Sequence, residues 1–201
     1  MSRTQQIKNA IHNARISIEK RQDHHLILPL RKALWLSFGP IETAEKDRAI
    51  KTEGYECRVE LALHTCKKVL PVWNEHLPDS DIADRALKAV DDYLNEKITF
   101  EDANKLANTL MGGLQNGGEN DDERRAMLVG YACVDLLYIV LYDAFCDDIE
   151  ELDEELDEWD YSMYAAGVFS NGYPFLEERA SDPDKLREFW LDYLNEAEAL
   201  I

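Results

Sequence analysis

Apolar residues recur along this chain at spacings of three and four, and turn signals cut that recurrence into blocks of helical length. The first block, about Thr4 to Arg21, carries Ile7, Ile11, Ala14 or Arg15, and Ile18 on one face. A second starts near Leu28 and stops before Gly39-Pro40, because proline disfavours helix at the residue before it. From Ile41 the pattern reads as helix to about Leu70, with Val59, Ala62 or Leu63, Cys66, Val69 and Leu70 as its stripe, and Pro71 ends or kinks it. After the turn Leu77-Pro78-Asp79-Ser80-Asp81, the residues Ala83, Ala86, Leu87, Val90 and Leu94 predict a helix over about 82–95. Thr99 and Asp102 have capping-box spacing for a helix from Phe100 to Met111.

A glycine-rich loop spans 112–120, and Asp121-Asp122 then introduce a strongly apolar helix through Tyr131, Val134, Leu137, Ile139 and Leu141, expected to be central. Beyond it the 3–4 spacing continues from Tyr138 through Tyr142, Phe145, Ile149, Leu152, Leu156 and Trp159 to Met163, with no proline or glycine between Tyr131 and Ala166. One long helix fits this spacing, but typical helix lengths favour a break near Cys146 to Asp148, where Asp147 or Asp148 caps an acidic amphipathic helix at 147–169. Ser170 to Pro174 reads as a turn, and Ser181-Asp182-Pro183-Asp184 opens a last helix to about Ala199. No period-2 alternation bounded by hairpin turns occurs. The expected fold is all-α: a bundle of about seven to nine helices with no significant sheet, residues 1–201 forming a single domain.

Charge changes this picture more than composition does. The formal net charge is −19, yet Leu141 to Ile201 hold 19 acidic and 3 basic residues, and the first 36 residues are net +5. Ten carboxylates fall between Asp147 and Asp160, with Ile149, Leu152, Leu156 and Trp159 as an a/d seam. Like-charge pairs at i, i+4, such as Glu150 with Glu154 and Glu151 with Glu155, each cost about 0.2–0.5 kcal/mol in a helix. Burial of the seam, the basic N-terminal helix, or a basic partner would offset that cost. Such an end repels phosphates and anionic bilayers, so neither nucleic acid nor membrane is an expected partner. The longest apolar run considered for a bilayer, Leu26 to Phe38, is interrupted by Pro29, Arg31 and Lys32. Cys57, Cys66, Cys133 and Cys146 sit in apolar helical patterns with no secretory signal, which predicts reduced thiols and a cytoplasmic protein.

Motifs for catalysis are sparse. Glu56, Glu60 and His64 share a helix face and are the candidate metal ligands, but a four-helix di-iron site needs Glu-x-x-His on two helices. Asp23-His24-His25 lacks the further ligands of a phosphoesterase and reads as a loop between helices. No nucleophile elbow or phosphate-binding loop occurs, so neither an enzyme activity nor a cofactor is expected. Asp135, within the most apolar helix, needs a partner such as Arg58 or a tyrosine hydroxyl if it is buried, or else its pKa rises. The candidate partner-binding residues are Glu150, Glu151, Asp153, Glu154, Glu155, Asp157, Glu158, Trp159 and Tyr161, where carboxylates can steer a basic protein and aromatics can anchor it. Two other readings are a helical scaffold that forms a homodimer through the 3–4 seam, and a helical enzyme built around Glu56, Glu60, His64 and Asp135.

From Cys57 to Leu110 the chain has a helix ending in Val69-Leu70-Pro71-Val72-Trp73, a Pro-Asp turn, a helix with Arg85-Ala86-Leu87-Lys88-Ala89-Val90, and an alanine-containing helix. This segment resembles the immunity-protein-five-like family of bacterial polymorphic-toxin systems. The resemblance covers roughly Arg58 to Phe145, stops short of the acidic end from Asp147, and carries over no catalytic residue. It implies an α-helical antitoxin that binds a cognate toxin, and many such toxins attack nucleic acids with basic surfaces that an acidic antitoxin can cover.

Overall fold

The computed structural model describes residues 1–115, 118–144, 159–172 and 181–201. Among these residues stand eight α-helices, α1 (Arg3–Lys20), α2 (Leu28–Ser37), α3 (Glu53–His76), α4 (Ile82–Leu94), α5 (Phe100–Leu114), α6 (Asp121–Tyr142), α7 (Tyr161–Phe169) and α8 (Pro183–Ala199). They contain no strand, and one isolated antiparallel bridge joins Thr43 to Ala49. The all-α expectation therefore holds.

Six of the helices start on a side-chain cap, from Ser2, Thr52, Thr99, Asn120, Asp160 and Asp182, each accepting backbone N–H groups of the first turn. Such a cap is worth about 1 kcal/mol. The Thr99 hydroxyl accepts from Asp102 N–H at 3.1 Å and donates to Asp102 Oδ2 at 2.8 Å, a variant of the predicted capping box.

α6 packs against α3, α4, α5 and α7, while α1 lies across α2 and α8. Among the described residues α6 alone is long and apolar enough to cross a bilayer, but Leu128, Val134, Leu137, Val140 and Leu141 are buried against its neighbours. Gly130 permits the closest approach: a Cβ there would stand 2.5 Å from Leu114 Cδ2 and 2.7 Å from Trp73 Cζ3.

Three boundaries depart from expectation. The helix predicted from Ile41 begins at Glu53, because residues 40–52 instead hold the Thr43–Ala49 bridge with left-handed Lys46 and Asp47. Helix α3 passes through Pro71 to His76; Pro71 and Lys67 are exposed, so water can reach the Lys67 carbonyl left without an N–H partner. Gly112 and Gly113 belong to the last turn of α5 rather than to a loop.

The long helix from Tyr131 onward is also corrected. α6 stops at Tyr142 on left-handed Asp143 (φ 54°), a conformation that ends a helix, and α7 starts at Tyr161 after extended Asp160. A single helix over 147–169 is thereby ruled out.

Candidate functional site

Two buried ion pairs flank the acidic segment. At its N-terminal side, Arg58 of α3 donates from Nε and Nη2 to both oxygens of Asp143, at 2.8 and 2.5 Å. Its remaining N–H groups reach the carbonyls of Trp35, Gly39 and Pro40 at 3.3, 2.9 and 3.4 Å, and both partners are 0% exposed. All five guanidinium donors are used, the condition under which a buried ion pair is tolerated. Burial pushes the Asp143 carboxyl above its ordinary range, and the Arg58 hydrogen bonds and charge oppose that push.

At the C-terminal side, Arg31 of α2 contacts Asp160 Oδ2 from Nε at 3.2 Å and from Nη2 at 3.0 Å, and it donates to Leu26 O at 2.8 Å. Asp160 Oδ1 accepts from Ser162 N–H and Met163 N–H at 2.8 and 3.2 Å, so one side chain both caps α7 and balances a buried arginine.

Glu150, Glu151, Asp153, Glu154, Glu155, Asp157 and Glu158 lie outside the described residues, as do Cys146 and the seam residues Ile149, Leu152 and Leu156. Trp159 is half-buried, 5.4 Å from the Tyr164 ring. Tyr161 corrects a prediction: it is 0% exposed, its hydroxyl 2.8 Å from that of Tyr193, which accepts from Trp35 Nε1 at 2.7 Å. It is a core residue with no surface to offer a partner. Burial and the adjoining hydroxyl push the Tyr161 pKa well up, and burial does the same to Tyr193.

Three other arginines of the basic N-terminal region pair with described residues. Arg15 bonds Asn195 and Glu198 of α8 at 2.8 and 2.7 Å, Arg3 pairs with Glu53, and Arg21 pairs with Asp23 at 2.7 Å. Asp23 is held down to about 2, chiefly by the Arg21 hydrogen bonds. In the same loop His24 Nδ1 lies 2.8 Å from Ile18 O, and buried His25 meets the Trp190 ring edge-on, as expected of a helix connection.

Glu56 and Glu60 point to solvent, while His64 turns to Asp192 and Glu196 of α8 at 3.8 and 3.5 Å. Among the described residues no three histidine, cysteine or acidic side chains converge to hold a metal. The suggested pairing of Asp135 with Arg58 is overturned, since Arg58 is committed to Asp143 and Asp135 is half-exposed. Asp135 instead lies where its charge helps raise the pKa of Tyr138 and Tyr164, after the larger effect of burial on each.

One group of surface residues was not predicted. Along α6 from Met127 to Tyr142 only Met127, Tyr131, Asp135, Tyr138 and Tyr142 reach solvent, at steps of four, four, three and four. That spacing places them in one lane. The signal was present, because Asp135 is the sole charge between Met127 and Tyr142, and an apolar helix must turn such a residue outward.

A family model described as Immunity protein Imm5 matches residues 11–199. The match reaches well beyond the resembling segment at 58–145 and takes in the acidic end. No curated protein matches the chain.

Proposed function

The chain belongs to the Imm5 immunity-protein family, and from that membership we propose that it binds and neutralises a cognate bacterial toxin in the cytoplasm, by occlusion and without catalysis of its own. The family match over residues 11–199 carries this reading. Charge supports a basic toxin: nine carboxylates lie between Asp147 and Glu158, and the two buried arginines hold the residues on either side of 145–158. A concentrated negative field of this kind raises association rates with a cationic surface, most strongly at low ionic strength.

The test is co-expression with the protein encoded by the neighbouring reading frame. A stoichiometric complex that suppresses that protein's toxicity, and whose association slows as salt rises, supports the reading. Failure of the chain to bind or protect removes it. Changing Glu151, Glu154, Glu155 and Glu158 together to Gln should slow association by roughly tenfold at low salt and by much less near 0.5 M, where the Debye length is only a few ångströms.

A further inference from the structure

A cleft of about 620 Å³ separates the bend at residues 43–49 from the outer side of α5, lined by Lys46 on one side and by Phe100, Asn104, Lys105 and Asn108 on the other. A smaller recess adjoins it at Lys46 and Phe100 and reaches Arg48. The bend is firmly held. Ala44 N–H donates to Arg48 O at 2.7 Å, Ile50 N–H to Glu42 O at 2.9 Å and Ala49 N–H to Leu141 O at 2.8 Å. Arg48 Nε donates to the Tyr93 hydroxyl at 3.2 Å, and its guanidinium lies 5.9 Å from the ring centres of both Tyr93 and Phe100. These contacts keep Lys46 and Asp47 in consecutive left-handed conformations, which residues with a side chain adopt only at a cost. On the α5 wall, Asn108 Nδ2 donates to Asn104 O at 2.9 Å and Asn108 Oδ1 accepts from the Tyr138 hydroxyl at 3.1 Å.

The sign of the cleft is opposite to that of the chain. Lys46, Arg48 and Lys105 outnumber Glu45 and Glu101 around the two recesses, in a protein of net charge −19. Lys46 faces Glu101 at 3.6 Å, so those two charges offset each other. The Lys105 ammonium has no ion-pair partner among the described residues.

We propose that this cleft receives an acidic side chain of the toxin, an aspartate or glutamate whose carboxylate meets the Lys105 ammonium beside Asn104. The inference rests on the immunity reading and adds a point of contact to it. Charge chooses the occupant: the uncompensated charge in the cleft is positive, so it repels the lysines and arginines of a basic surface and attracts a carboxylate. Position makes the toxin its source. Ala49 is bonded to Leu141 and Phe100 meets Tyr142 edge-on at 5.4 Å, so the cleft lies beside the end of α6, where the chain runs on into nine carboxylates between Asp147 and Glu158. A basic toxin drawn toward that end is set in register by the acid that the cleft accepts. One that carries a base at the same place brings it against Lys105, and like charges brought together at an interface turn wrong partners away.

Carbodiimide cross-linking of the wild-type complex with the neighbouring-frame toxin tests this, because the reagent joins an amine to a carboxylate only where the two are in contact. Lys105 should be joined to an aspartate or glutamate of the toxin, a readout that does not depend on how any variant folds. Dissociation at about 0.15 M salt gives the second measurement. Lys105→Glu should leave about tenfold faster or more, whereas Lys67→Glu, the same charge change at an exposed position of α3 outside the cleft, should stay within about twofold of wild type. A Lys105 joined to no acidic residue of the toxin, or equal dissociation of the two variants, overturns the contact and leaves the functional reading standing. If the wild-type chain forms no complex at all, the functional reading falls and this inference with it.

Discussion

Arg58 illustrates what a residue's neighbours along the chain cannot disclose. Periodicity places it on α3, but its carboxylate partner is 85 positions away, on a left-handed residue that no helical pattern marks. The suggestion that it meets Asp135 had the right chemistry and the wrong acid. Arg58→Met leaves Asp143 buried without a cation and three carbonyls without a donor, and should cost about 3–5 kcal/mol, read as a lower urea midpoint. The tyrosines set a separate limit. Burial raises Tyr55, Tyr161, Tyr164 and Tyr193 in the folded state, so the unfolded chain ionises them first. The stability they contribute is fully present below about pH 10, the unfolded value, and is lost as pH rises from there toward the folded values. In an alkaline titration, tyrosinate absorbance from these four should appear together with the loss of helical circular dichroism. Its appearance before unfolding would show the hydroxyls to be accessible.

Single elements were legible where capping and spacing agree. α4 and α8 begin and end within a residue or two of the pattern, since a turn and a proline start them and no tertiary contact overrides the local signal. Residues 40–52 were not legible, because the Thr43–Ala49 bridge and the hydrogen bond from Ala49 N–H to Leu141 O join residues remote from any periodic pattern. Substitutions at two positions test how elements are held. Asp160→Asn keeps an N-cap acceptor while removing the Asp160 charge from Arg31, whereas Asp160→Ala loses both cap and charge. The alanine variant should be the less stable of the two by about 1 kcal/mol, and equal stability would deny the cap its role. Gly130→Ala gains about 1 kcal/mol of helix propensity but drives a methyl into Leu114 and Trp73, at an overpacking cost of about 1–3 kcal/mol. Thermal melting should show net destabilisation, because Trp73 is buried and its Nε1 is held by Ser80 O at 3.0 Å.

At the scale of the molecule, the uneven charge was legible from counting alone, and the tertiary placement of the cations was not. Arg15 on Glu198 and Arg187 on Glu19 join α1 to α8, one pair with its base on each helix. A net charge of −19 opposes compaction at low ionic strength. The melting temperature should therefore rise between about 10 mM and 0.5 M sodium chloride, as the Debye length falls from about 30 Å to a few ångströms. The clamps around residues 145–158 have a consequence for how such a chain can change over generations. Every group in them, Arg58 with Asp143 and Arg31 with Asp160, stands outside the stretch they bracket. Substitutions within 145–158 therefore replace none of the four side chains that make these two pairs, so the pairs and the stretch between them can be varied separately.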